Sequence, residues 1–455
     1  MSPTSLRSRP AYDAAVADLR AQLAALPAGA PVRLGKSTSN LFRTRAASST
    51  PRLDVSAFTG VLEVDVAGRT ADVLAMTTYE ELVDATLPHG LMPLVVPQLK
   101  TITLGGAVTG LGIESSSFRN GTPHESVLDL DVLTGDGRVL RVTPDGPHAD
   151  LFAGFPNSYG TLGYALRLRI ELEPVAPYVH LRHVECRSVA EAAHLLAEVC
   201  TQRSADFVDG TWFSPTDVRI TLGTWRDSAP AVSDYTGRGI YYQSLQRRDE
   251  DWLTVRDYLW RWDTDWFWCS RAFGAQHPLV RALWPRRWLR SDVYWKIVAF
   301  EKRHRWKTRW DLRRGGPPRE EVVQDVEVPV ERLAEFLDVF AREVPIAPVW
   351  LCPLQQRDPG RSWPLYPLEP EQLYVNVGFW STVPLAPGRP DGSHNRLVEQ
   401  LVDDLGGRKS LYSTSYYEED HFWQLYGGQE YARLKQAYDS DGRLLDLYDK
   451  CVRSR

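Results

Sequence analysis

Four glycines in eight residues, Gly105, Gly106, Gly110 and Gly112, followed closely by three serines, set the tightest limit on how this chain folds. The stretch reads TLGGAVTGLGIESSS, Thr103–Ser117. Glycines at this density let backbone approach a bound molecule closely, and hydroxyls and free N–H groups then bind phosphate or ring oxygens. The pattern is not G-x-G-x-x-G, and no G-K-[ST] follows it, so neither common nucleotide fingerprint is present. Taken alone, it also reads as a glycine-rich surface loop. A second stretch, VRLGKSTSNLFR (Val32–Arg43), has the make-up of a phosphate cradle: Arg33, Gly35, Lys36, Ser37, Thr38, Ser39 and Asn40 offer positive charge, hydroxyls and backbone donors. Alone, it reads equally well as a capped turn.

A chain of 455 residues has room for two to three domains. Its 43% hydrophobic and 24% charged residues supply a core of ordinary size. A net charge of −5 argues against a general polyanion-binding role, and no nucleic-acid partner is expected. No run of about 18 apolar residues is long enough to span a bilayer. The N-terminus lacks the apolar segment of a secretory signal, which favours the cytoplasm. The five cysteines are odd in number and widely spaced, which fits a reducing compartment, and the ten histidines form no H-E-x-x-H. No metal is assigned. Only eight of the 53 basic residues are lysine, the bias of a GC-rich, bacterial genome.

Along the chain, residues 1–30 read as a polar tail and a helix, with Tyr12, Val16, Leu19, Leu23 and Leu26 at helical spacing. Residues 31–175 change to short strands and glycine-rich turns. Val61–Val66 alternates like a strand, Thr78–Glu81 is a capping box, Leu91–Pro97 is an apolar strand, and Val127–Pro144 is a hairpin about an Asp-Gly turn. Residues 176–394 hold two β-α-β-β patterns, which side by side would form one antiparallel sheet with helices on one face. An insert separates them at 226–319. Ten of the sixteen tryptophans lie in 252–310, and residues 281–319 carry a local charge of +10. Residues 395–455 read as helical with one short strand, Leu411–Tyr417.

The order of these stretches resembles the FAD-binding domain of the vanillyl-alcohol-oxidase (PCMH-type) superfamily. There, an early loop holds the pyrophosphate, a T-x-G-G stretch lies along the isoalloxazine, and a hairpin leads to a second G-x-x-G, here Gly160–Gly163. The similarity is closer to one branch, the Δ24-sterol reductase (24-dehydrocholesterol reductase) family. GIESSS, FVDGTWFS (Phe207–Ser214), VVQD…VP (Val322–Pro329), PVWLCP (Pro348–Pro353) and LYDKC (Leu447–Cys451) match it in order. The resemblance implies an α+β fold, with an FAD domain and a cap built on an antiparallel sheet. It also implies FAD bound by the early loop, by Thr103, Leu104, Gly105, Gly106, Gly110, Leu111, Gly112, Ile113, Ser115, Ser116 and Gly121, and by Ala165 and Ser410. Neither loop contains His or Cys, so the flavin should be non-covalent.

The family resemblance further implies reduction of an isolated carbon–carbon double bond of a lipid with electrons from NAD(P)H. An unconjugated alkene has no carbonyl to polarise it, so a proton donor and a dry pocket are required. A methylene-branched fatty acyl chain and a sterol Δ24 bond both meet the condition. The candidate donors are Glu114, inside the glycine loop, and Tyr412, on the returning strand; Glu114 also reads as a structural hydrogen bond to the loop, and Tyr412 as core packing. Two other readings remain open: oxidation of an alcohol or sugar carbon, and a lipid-binding protein with a vestigial flavin site. The animal sterol reductases carry an N-terminal membrane segment that this sequence does not show. The Trp- and Arg-rich insert instead suggests peripheral binding to an anionic membrane, at the inner face of the cell membrane.

Overall fold

A computed structural model describes residues 8–36, 42–43, 49–304 and 315–453. The expected residues Ser37, Thr38, Ser39 and Asn40 lie outside the described residues, as does part of the basic insert. The fold is α+β, built on two antiparallel sheets.

The first sheet belongs to the N-terminal third. β1 (Arg33–Leu34) and β2 (Arg52–Leu53) form a small parallel pair beside it. β3 (Val61–Asp65), β4 (Thr70–Leu74), β5 (Leu91–Pro93), β6 (Val127–Leu133), β7 (Val139–Val142) and β8 (Tyr164–Pro174) make the sheet, in the order β3-β4-β8-β6-β7 with β5 also on β8. The hairpin turns at the Asp-Gly, as its sequence demands. The capping box forms: Thr78 accepts from the Glu81 N–H while Glu81 accepts from the Thr78 N–H, and helix Tyr79–Thr86 starts there. The strand expected over Leu91–Pro97 stops at Pro93. Helix Arg9–Ala24 buries Tyr12, Leu19 and Leu23 against Phe58, Leu133 and Leu166.

The second sheet contains both β-α-β-β units. The first is β9 (Tyr178–Cys186), helix Val189–Gln202, β10 (Phe207–Ser214) and β11 (Asp217–Arg226). β12 (Glu250–Thr254) comes from the insert and extends the edge beyond β9. The second unit is β13 (Arg319–Pro329), helix Leu333–Glu343, β14 (Val349–Leu354) and β15 (Tyr374–Pro384), and β16 (Arg408–Lys409) closes the far edge. The order β12-β9-β11-β10-β14-β15-β13-β16 places the two units about a pseudo-twofold axis between β10 and β14. On one face, Leu196, Val199, Phe336, Leu337 and Phe340 of the two helices close a core with Val326, Val328 and Phe379. Strand alternation sends Asp209, Asp325, Glu327, Trp350 and Trp380 away from that core.

Two expectations need correction. Leu411–Tyr417 is irregular rather than a strand, apart from a single bridge between Phe42 and Ser413. Side chains take over the backbone groups of this segment. Lys409 Nζ donates to the Thr414 carbonyl at 2.7 Å, and the Glu399 carboxylate accepts from the Tyr416 N–H at 3.0 Å. The tryptophans of the insert mostly pack inward: Trp260, Trp262, Trp266 and Trp268 are all buried.

The helix face of the second sheet is the part of the fold with the least tolerance for lost volume. Phe336 is fully buried, so Phe336→Ala is expected to cost about 3–5 kcal/mol. The check is a lowered urea midpoint at unchanged flavin content.

Candidate functional site

A cleft with a cavity of about 190 Å³ lies between the two sheets. Its first wall is the glycine stretch and the segment before it: Pro97, Gln98, Thr101, Thr103, Gly106, Thr109, Gly110, Leu111, Gly112 and Ile113. Thr103 caps helix Leu104–Thr109 by accepting from the Gly106 N–H. The wall is pressed onto the sheet by Gly105, whose N–H donates to the Ala75 carbonyl at 2.8 Å. A Cβ at Gly105 would lie 2.8 Å from Ala75 Cβ, so only glycine allows this approach.

Aromatic rings from three other parts of the chain make the opposite wall. Trp350 and Trp380 come from β14 and β15, and Trp266 and Phe267 from the insert. Phe267 packs on Trp350 and Trp380 with ring centroids 5.5 Å and 4.5 Å away. Trp266 (φ 45°) and Phe267 (φ 59°) are both left-handed, a backbone state that costs non-glycine residues energy and concentrates at functional sites. Phe42 stacks on Trp266 at 5.8 Å and meets Tyr412 edge-on at 5.7 Å.

One carboxyl group reaches into this aromatic surround. Asp325 lines the cleft from β13, opposite Gly378 of β15. A Cβ at Gly378 would collide with the Asp325 carboxylate, so glycine there makes room for the acid. Burial pushes the Asp325 carboxyl up to about 7, against hydrogen bonds from Asn376 and Tyr412 that pull the other way. The Tyr412 hydroxyl accepts from Trp380 Nε1 at 3.0 Å. Glu327, two residues along β13, accepts from the Tyr366 hydroxyl, and its burial also holds its carboxyl well above the usual range.

Beneath the glycine wall lies a buried charge cluster. Arg261 from the insert donates to Glu114 Oε1 at 3.0 Å and to Asp209 Oδ2 at 2.8 Å, with its side chain fully excluded from water. Trp262 Nε1 donates to the same Asp209 oxygen at 3.1 Å. The guanidinium lies 4.0 Å over the Tyr258 ring, whose hydroxyl is 2.7 Å from Ser115 Oγ. The cluster therefore ties the glycine loop, β10 and the insert together.

Comparison with known proteins gives these features a common meaning. Residues 14–143 match the family model described as an FAD binding domain. The chain is 26% identical to the Delta(24)-sterol reductase of Homo sapiens over 415 residues, covering 87% of this chain and 76% of that one. The Arabidopsis thaliana Delta(24)-sterol reductase is 25% identical over 445 residues, covering 89% and 77%. A shorter match, 34% identical over 123 residues, covers 27% of the chain and 26% of the decaprenylphosphoryl-beta-D-ribose oxidase of Mycolicibacterium smegmatis. The chain is an FAD-binding oxidoreductase related to the sterol Δ24 reductases.

The residues present in this oxidoreductase suit a flavin. The glycine wall, the cation Lys36 and the hydroxyls of Thr103, Thr109 and Ser410 all face the cleft. Tyr159, which also lines the cleft, has a buried hydroxyl with no hydrogen-bond partner among the described residues, as expected where a polar ligand completes the set. Of the residues expected to bind the cofactor, Lys36, Thr103, Gly106, Gly110, Leu111, Gly112, Ile113 and Ser410 line the cleft. The other described ones stand behind it. Arg33 Nε donates to the Thr50 carbonyl, Gly35 packs on Leu53, and Leu104 and Gly105 sit in or against the core. Ser115 and Ser116 bond to Glu114 and to the Leu94 carbonyl, Gly121 ends a short helix, and Ala165 lies in β8.

The two expected donors part company. Tyr412 lines the cleft. Glu114 does not line it; Arg261 and Ser115 donate to its Oε1. Burial raises the Glu114 carboxyl despite the opposing pull of Arg261. Asp325, which ends the VVQD segment, lines the cleft and is not among the expected site residues. Strand alternation puts it on one face with Val323 and Glu327, away from Val322, Gln324 and Val326, and two acids at alternate positions of a strand are the available signal.

Removing Arg261 would leave two buried carboxylates facing each other. Arg261→Met is expected to cost about 3–5 kcal/mol near neutral pH. Carboxyls with raised folded-state pKa lose their stabilising neutral form as pH rises, so this variant should regain stability as pH falls. Urea titrations across pH, with Glu114→Gln added to restore part of the loss, provide the check.

Proposed function

We propose that this protein reduces an isolated carbon–carbon double bond of a lipid with electrons from NAD(P)H, using non-covalently bound FAD. The observation that carries the reading is a carboxyl group able to hold a proton at neutral pH, set among four aromatic rings in a narrow cleft beside the glycine wall. Similarity to sterol Δ24 reductases over most of the chain supports the reaction class.

When bound, FAD would supply the hydride. Asp325 supplies the proton, delivering it to the less substituted alkene carbon so that positive charge develops on the more substituted one. Tyr412 holds the Asp325 carboxyl in place and can relay its replacement proton. Trp266, Phe267, Trp350 and Trp380 exclude water that would capture the developing cation, and their ring faces are attractive to it. A methylene-branched fatty acyl chain is the favoured substrate, ahead of a sterol side chain. The local match to a decaprenylphosphoryl-ribose oxidase favours a second reading, oxidation of an alcohol or sugar carbon.

Anaerobic NADPH should bleach the flavin of the purified protein, and a methylene-acyl lipid should restore the colour as methyl-branched product forms. Bleaching by an alcohol or sugar, with no alkene turnover, would establish the second reading instead. No His or Cys lines the described part of the cleft, so acid precipitation should release all flavin to the supernatant. Colour retained by the pellet would contradict non-covalent binding.

Because only the neutral acid donates, the alkene-reducing rate should fall as pH rises through about 7. Asp325→Asn should lower kcat by about 10²–10⁴-fold, with the flavin spectrum kept. An unaltered rate and pH profile in that variant would remove Asp325 from the mechanism.

A further inference from the structure

The insert turns one face to the cleft and the other to solvent. Its inner face supplies Trp266 and Phe267, and helix Ser291–His304 brings Trp295 against Trp266 and Phe42. The insert also carries six of the nine large apolar side chains exposed among the described residues: Val232, Leu279, Val280, Leu283, Trp288 and Phe300. Leu279 and Leu283 are 71% and 85% exposed and stand one turn apart on helix Pro278–Leu283.

Their outward direction is built in. Between them Arg281 points inward and is buried, donating to both oxygens of Asp265 at 2.7 Å and 3.1 Å. It also donates to the Gly237 and Gly239 carbonyls at 2.8 Å and 2.9 Å. A buried guanidinium with four such acceptors fixes the rotation of the helix, and the leucines four residues apart then face solvent together. Asp265 directly precedes Trp266, so the same ion pair couples the outer helix to the cleft wall.

The same insert also exposes cations. Arg271, Arg286, Arg287 and Lys296 are exposed, and Arg238 joins them from the loop that Arg281 holds. Arg286 and Lys296 have acidic neighbours, at 3.3 Å from Asp234 and 3.6 Å from Asp292. Residues 271–304 hold eight Lys/Arg against two acids, in a chain of net charge −5. A two-fold contact between copies of this face would set like charges together. A bilayer surface offers anionic headgroups for the cations and an acyl boundary for the leucines.

We propose that Leu279, Leu283 and Trp288, with the exposed Arg238, Arg271, Arg286 and Arg287 of the same insert, form a docking surface for an anionic lipid bilayer. No helix among the described residues is long and apolar enough to cross a membrane, so the contact is peripheral. Docking itself does not depend on the catalytic reading. Its use, delivering a bilayer-held substrate to the cleft behind Trp266, does rest on that reading.

The test is sedimentation of the full-length flavin-loaded protein with vesicles of phosphatidylcholine, or of phosphatidylcholine mixed with phosphatidylglycerol, at low and high salt. The wild type should pellet with the anionic vesicles at low salt, and less at high salt. Leu279→Ser with Leu283→Ser should reduce partitioning about 100-fold, about tenfold for each leucine withdrawn from the boundary. Arg286→Glu with Arg287→Glu should abolish the preference for phosphatidylglycerol. Both pairs lie on the surface, and an unchanged flavin spectrum and Tm will show that they fold. Wild-type protein left in the supernatant under all four conditions would overturn the proposal. So would a wild-type dimer, seen by light scattering, that the leucine pair converts to monomer. Pelleting is read without turnover, so a failure of the reductase reading leaves this result intact.

Discussion

Arg261 is the interaction on which the arrangement of the cleft depends. It brings a carboxylate from the glycine loop and another from β10 onto one guanidinium that water does not reach. Burying three charges is costly, and the cost is offset only if every partner is in position. Ser115, Tyr258 and Trp262 add further hydrogen bonds, while Glu114 Oε2 and Arg261 Nε have no partner among the described residues. The loop that faces the flavin is therefore fixed from behind, at a point where glycine alone would leave it loose. Such support lets a Gly-rich segment act as a rigid wall.

The two sides of the cleft have different physical jobs. The glycine side is backbone, presenting N–H groups and threonine hydroxyls with little side-chain bulk. The opposite side is aromatic, and its low polarity is what keeps Asp325 protonated near neutrality. Tyr412 sits where the two meet, bonded to Trp380 on one side and to Asp325 on the other. Moving Asp325 to a solvated strand edge would return it to an ordinary carboxylate, so the chemistry proposed here belongs to the surround as much as to the residue.

The insert shows how composition misleads when read without burial. Its tryptophans suggested a membrane-facing surface, yet Trp260, Trp262, Trp266 and Trp268 pack inward, and Trp288 is the large exposed ring of that type. The two most exposed apolar side chains, Leu279 and Leu283, lie on a helix whose rotation is set by Arg281. Several of the insert's arginines are spent on buried or half-buried carboxylates, Arg281 on Asp265 and Arg290 on Glu80. Net charge over a window counts those equally with the free ones.

Local signals were enough to settle the elements. The Thr78–Glu81 capping box, the Asp-Gly hairpin and the two β-α-β-β patterns each depend on residues within a few positions of one another, and all are present. The glycine stretch was legible for the same reason, and eight of the expected cofactor residues do line the cleft. Leu411–Tyr417 was misread because its β-branched and aromatic texture says strand, while Lys409 and Glu399 capture its backbone groups from outside the segment. That Asp325 rather than Glu114 lines the cleft has a reason of distance. Arg261 is 147 positions from Glu114, and the rings around Asp325 come from three separate regions. A carboxyl group's proton affinity is set by what lies within a few ångströms in space, and only the tertiary fold decides that.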